Sequence, residues 1–253
     1  MKRFFCIAAL ALSLSCRNET PPAPADTPAP APDTAATVTA SDSSASSVPP
    51  APEACAPAPN RLCPVDDAAK DPSFDAYRQQ LRAAVQQRDE AKLLPLIDPA
   101  IRTSFGDGGG IDDFKSSLSR TEGSSWTVLE KVLSLGGSFR GEGEQASFWA
   151  PYVYSNWPES IDPFQYVAAI RKGVFLRTTP AAAAHTVGTA DWAILELLPA
   201  DTPPSTRNWL HVKTADGQEG WVHTSDVHSP VGYRAGFNKM NGQWKMTAFV
   251  AGD

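Results

Sequence analysis

Beyond its first sixteen residues, this 253-residue chain has no apolar run long enough to cross a bilayer. Basic charge is not in excess either: 22 Lys and Arg stand against 28 Asp and Glu, a net charge of −6. That balance excludes nucleic acid as a partner and excludes adhesion to anionic lipid by charge alone. The sequence has no Gly-x-Ser-x-Gly elbow and no C-x-x-C pair. Its Gly-rich stretch at 106–110 lacks the Gly-Lys-Ser/Thr ending of a P-loop, and Asp107, Asp112 and Asp113 repel phosphate there. EF-hand spacing is missing as well, so the stretch reads as a turn. Four His occur, His185, His211, His223 and His228, with no Glu-x-x-His helix beside them, and they read as loop or surface residues. The acid pairs Asp112/Asp113 and Glu142/Glu144 sit in turns where solvation accounts for them. These absences leave no expected catalytic residue, metal or cofactor.

What is present begins with an export signal. Met1-Lys2-Arg3 is followed by a compact apolar segment, Phe4 to Leu14, ending at Ser15-Cys16. A small residue immediately before a Cys resembles a lipobox, which implies lipidation of Cys16 and a membrane anchor. Arg17 after the Cys, in place of an acidic residue, favours the outer membrane by the same resemblance. The other reading is an ordinary cleaved signal peptide and a soluble secreted protein. Residues 17–65 are rich in Pro, Ala, Thr and Ser, a composition that buries too little apolar surface to offset its ordering entropy. Repeated Ala-Pro gives an extended spacer of about 3 Å per residue. Of the four cysteines, Cys6 and Cys16 lie in the leader. Cys55 and Cys63 remain and predict a short-loop structural disulfide in an oxidising compartment.

Folding starts near Asp71-Pro72-Ser73, a helix-start signal with Pro in the first turn. Phe74, Tyr77, Leu81 and Val85 recur at helical spacing, and Asp89 opens a second short helix before Pro95. A strand over 101–105, helices beginning at Ile111 and at Trp126, and a strand over 146–154 follow in order. Asn241-Gly242 predicts a C-terminal hairpin between Tyr233–Lys239 and Trp244–Val250. The order helix, short helix, strand, turn, helix, with Asp89 heading the second helix, is similar to the NTF2-like fold, whose members close with such a hairpin. The resemblance implies that the hairpin completes an α+β domain of residues 66–160 with 231–253. The alternative places the hairpin on the module that precedes it. Contacts of Phe237, Trp244 and Phe249 separate the two: with Trp126 and Phe148 in the first case, with Leu195 or Val222 in the second.

Between these parts, Val174-Phe175-Leu176-Arg177-Thr178-Thr179-Pro180 is followed by Trp209-Leu210-His211-Val212-Lys213 and by Asp216-Gly217-Gln218-Glu219-Gly220-Trp221-Val222. Asp216-Gly217 is a favoured pair for a tight hairpin turn. The early LRxxP and late WLxVxxxDGxxGWV resemble the bacterial SH3 (SH3b) domain, placed at residues 161–230. That resemblance implies an all-β half-open barrel with an aromatic ligand groove, and peptidoglycan, a peptide or an envelope protein as partner. Trp192, Trp221, Arg177 and Tyr166 are the candidate groove residues, whereas Phe175 and Trp209 are expected in the barrel core. The function read from the chain is a non-catalytic envelope lipoprotein. The competing reading is a periplasmic enzyme or small-ligand carrier whose first domain encloses a pocket, with Asp98, Arg102 and Tyr154 converging inside it.

Overall fold

The computed structural model describes residues 55–106, 108–120, 124–199 and 207–252. The leader, Cys16, most of the Pro/Ala-rich segment and the 200–206 loop lie outside the described residues. Among the described residues the chain is mixed α+β, with one five-stranded and one seven-stranded sheet.

The first helix, α1 (Pro72–Gln87), starts where the capping residues demand. The Asp71 carboxylate accepts from the backbone N–H of Ser73 and Phe74, and Pro72 occupies the first turn. The apolar stripe expected from the spacing, Phe74, Tyr77, Leu81 and Val85, is buried. A short helix α2 (Glu90–Leu93) is capped by Asp89 and passes into a 3-10 turn that contains Pro95. Strand β1 (Ile97–Arg102) then begins four residues before its expected start and ends before Phe105, which is 41% exposed. Helices α3 (Ile111–Leu118) and α4 (Ser125–Ser134) follow. The strands β2 (Ser138–Arg140) and β3 (Ser147–Ala150) pair antiparallel.

The strand expected over 146–154 stops at Ala150. A cis Ala150-Pro151 bond follows, and the chain turns into a one-turn helix α5 (Tyr152–Ser155). Proline removes a ladder donor, which is why the pairing ends there. The second sheet contains β4 (Tyr166–Ala169), β5 (Val174–Arg177), β6 (Thr186–Ala190), β7 (Ile194–Leu197), β8 (Trp209–Lys213), β9 (Glu219–His223) and β10 (Val227–His228). Its strand order is β10-β4-β7-β8-β9-β5-β6. The β8–β9 connection is longer than a two-residue turn. It spans Thr214–Gln218, and positive φ falls on Gly217 alone of the Asp-Gly pair.

The last two strands, β11 (Arg234–Met240) and β12 (Gln243–Val250), form the C-terminal hairpin through Asn241-Gly242, both at positive φ. This hairpin lies in the first sheet, whose order is β1-β12-β11-β3-β2. β12 runs parallel to β1, and β11 pairs antiparallel with β3. Phe237, Trp244 and Phe249 share one buried cluster with Trp126 and Phe148. Leu195 and Val222 belong to a separate cluster inside the second sheet.

Two features join the sheets. Residues 60–67 form a strap: Leu62 N–H donates to the Trp192 carbonyl, Ile194 N–H to Asn60, and Asp67 N–H to Gly137. The expected unstructured linker thus includes Asn60–Val65, whose backbone bonds hold it to the second sheet while Asp67 ties the strap to Gly137 beside the first, a property that Pro/Ala-rich composition does not reveal. Cys55 and Cys63 are disulfide-bonded at the start of this strap. Beneath it, Leu62, Tyr152, Val153, Ala168 and Ile194 form a third buried cluster. On the far side, Lys131 of α4 donates from Nζ to the carbonyls of Thr224 and Val227, both at 3.1 Å.

Candidate functional site

The second sheet sorts its side chains by strict alternation. Val174 and Leu176 of β5, Val212 of β8 and Val222 of β9 point into its core. The intervening residues therefore share the opposite face: Phe175 and Arg177, His211, Trp221 and His223. Phe175 is 47% exposed, contrary to the expectation that it fills the core. Period-two alternation with two flanking core residues leaves it no place inside. Trp209 is half-buried, edge-on to His223 at 5.1 Å between ring centroids.

These face residues lie side by side across β5, β9 and β8. The Arg177 guanidinium lies 4.8 Å from the Phe175 ring centroid, and its Nη1 donates to Thr186 Oγ1 and the Ala184 carbonyl. Arg177 is registered directly against Trp221 on β9. Trp221 in turn stacks on His211, 4.9 Å between centroids and 17° from parallel. The result is a continuous band of Phe175, Arg177, Trp221 and His211 across β5, β9 and β8. Such a row of flat rings with one fixed cation suits ligands that offer apolar or planar surface and a hydrogen-bond acceptor.

The expected groove is only half assembled. Arg177 and Trp221 meet, but Tyr166 sits on β4, separated from β9 by β7 and β8. Tyr166 instead lines an open cleft of about 580 Å³ with Asn60, Asp162, Gln165 and the Lys213–Glu196 ion pair, 2.7 Å long. Trp192 occupies the β6–β7 turn at φ +50°, with its carbonyl taken by Leu62 N–H and its own N–H given to Arg171. Its position is explained by the strap. Phe175 and His211 were missed as band members, although alternation around Leu176 and Val212 carries the signal.

The first domain's interior is filled. Phe74 stands within 4.3–6.0 Å, centroid to centroid, of Phe148, Trp244, Phe139, Phe237 and Tyr77. Burial pushes the Tyr77 phenol far above its ordinary value, and its hydroxyl donates to the Leu96 carbonyl. Asp98, Arg102 and Tyr154 do not converge there. Asp98 accepts from Ala100 N–H, Arg102 is exposed, and Tyr154 packs on Trp149 at 5.3 Å. Among the described residues no group of three or more His, Cys, Asp or Glu is arranged to hold a metal ion. No described helix is long and apolar enough to cross a membrane.

Comparison with known proteins finds no matching family model, no matching characterised protein and no matching solved structure. Function is accordingly argued from the residues themselves.

Proposed function

We propose that this chain is a non-catalytic cell-envelope binding protein, exported and held to the membrane through a lipid on Cys16. In this reading residues 161–230 are an SH3b-like module, inserted between α5 and β11 of an NTF2-like domain. The module binds a peptide, either the peptide stems of peptidoglycan or a segment of an envelope protein. The observation that carries the proposal is the band Phe175–Arg177–Trp221–His211, in which Phe175 is exposed and the other three are half-buried on the same face. Aromatic side chains and arginine are enriched at recognition surfaces. The two stretches that resemble SH3b, around Leu176-Arg177 and Trp209–Val222, lie on β5, β8 and β9 of one sheet, and β5 and β8 both neighbour β9. The rings packed around Phe74 occupy the interior where the enzyme-or-carrier alternative places its pocket.

The test is co-sedimentation of the exported chain with purified peptidoglycan sacculi, comparing the natural sequence with Trp221→Ala. Retention of the natural chain and at least about tenfold loss in the variant are expected for a central aromatic. Absence of binding by the natural chain removes peptidoglycan as the ligand. Incorporation of labelled palmitate, abolished by Cys16→Ser, tests the anchor, and unchanged labelling refutes it.

A further inference from the structure

The outer face of the first sheet, opposite the buried cluster that α1, α3 and α4 pack into, carries an unusual row. Ile101, Phe148, Ala235 and Phe237 belong to the core, so Arg102, Trp149, Arg234 and Gly236 stand on the opposite face. There the Arg102 guanidinium sits 5.5 Å from the Phe105 ring and Arg234 5.1 Å from the same ring. Arg234 also lies 4.7 Å from the Tyr154 ring, and Arg140 lies 4.9 Å from it. Three cations are thus interleaved with two rings across β1, β11 and β2.

None of the three arginines forms an ion pair among the described residues. Arg140 bonds only weakly, to the Tyr154 and Ser155 carbonyls at 3.4 Å. Arg234 is the telling member. It is 5% exposed, and its Nη1 is buried without a hydrogen-bond partner. A buried cation without a counter-charge is costly, and cation–π contacts offset only part of that cost. Two further guanidiniums nearby raise the cost by repulsion. The chain carries a net charge of −6, yet among the described residues no carboxylate pairs with this row. Asp113, which follows the Gly-rich turn, is engaged by Gly109 N–H.

We propose that this face binds a phosphate-bearing ligand, with the oxyanion seated on Arg234 and flanked by Arg102 and Arg140. The planar guanidinium fork matches phosphate geometry, and a dianionic group neutralises more of the row than a monoanionic carboxylate does. Phe105, exposed three residues beyond the end of β1, packs over Arg234 and must swing aside for the ligand to reach it. The ligand is a soluble phosphate ester or a phosphate headgroup of a lipid. The site does not depend on what the second sheet binds.

The purified full chain carrying Cys16→Ser, so that no acyl group tethers it, is titrated with inorganic phosphate while tryptophan fluorescence is followed. Trp149, which packs on Tyr154, is the reporter, and Trp149→Phe identifies its share of the signal. Saturable change with phosphate but not with acetate at equal ionic strength is expected, together with a rise in melting temperature. Arg102→Gln with Arg140→Gln, both exposed positions, keeps the fold and weakens binding at least about tenfold. Flotation with phosphatidylcholine vesicles, with or without phosphatidic acid, then assigns the source. Capture only by phosphatidic acid vesicles identifies a headgroup, and phosphate binding without capture identifies a soluble ester. No saturable response to phosphate, or an equal response from the double variant, overturns the proposal.

Discussion

Trp149 lies across Gly236 on the neighbouring strand, so that a β-carbon at 236 would stand 2.7 Å from the indole Cη2. The glycine is needed because the ring occupies the space a side chain would take. The same ring packs on Tyr154, which holds Arg234 and Arg140. Gly236→Ala is expected to displace the indole and cost about 1–3 kcal/mol by overpacking. Trp149→Ala in the same chain should remove most of that penalty. A double-mutant cycle read by urea denaturation measures the coupling, and additive losses would contradict it.

Asp71 ties the start of α1 to β11 as well as capping the helix. The Ser73 hydroxyl bond is foremost in holding its carboxyl down to about 2, helped by Lys239 at 3.1 Å and the Phe74 and Ser73 N–H groups, against partial desolvation. A depressed carboxyl stabilises the fold above its unfolded value near 4, and that contribution is lost as pH falls toward 2. Asp71→Ala should cost about 1–2 kcal/mol at neutral pH and flatten the acid limb of the stability curve between those values. Unchanged acid sensitivity in the variant would refute this account.

His228 titrates in the opposite sense. Burial, with the Lys131 charge adding to it, pushes the imidazole down to about 4, and the Tyr233 carbonyl opposes the shift only in part. Between about 4 and 6.5 the unfolded chain binds the proton and the folded chain does not. Stability is therefore full above pH 6.5 and declines as pH falls toward 4, by no more than about 1.4 kcal/mol per pH unit. Urea midpoints across that range should show the slope in the natural chain and lose it in His228→Gln.

Adjacent residues of β5 should separate function from fold. Phe175→Ala removes an exposed ring and should change stability by no more than about 0.5 kcal/mol, while reducing retention on sacculi. Leu176→Ala empties a fully buried site and should cost about 2–5 kcal/mol. Loss of stability in Phe175→Ala comparable to Leu176→Ala would mean that the band is structural.

Local rules made much of the architecture legible. Asp71-Pro72-Ser73 located the start of α1, the 3.6-residue spacing of Phe74, Tyr77, Leu81 and Val85 gave its buried stripe, and Asn241-Gly242 located the last turn, because each is set by a few neighbouring residues. The extra length of the Thr214–Gln218 connection and the cis turn at Pro151 escaped the same rules, since pairing partners elsewhere decide where a strand must end.

The sequence by itself determined the start and buried stripe of α1, the turn at Asn241-Gly242 and the cysteines available to bond, all consequences of short-range stereochemistry and period. Only tertiary structure decided that the C-terminal hairpin joins β1 and β3, that residues 60–67 bind both sheets, and that Arg102, Arg140 and Arg234 meet around two rings. Those arrangements bring together residues far apart in the chain, and alternation says which face a side chain takes but not which strand will lie beside it.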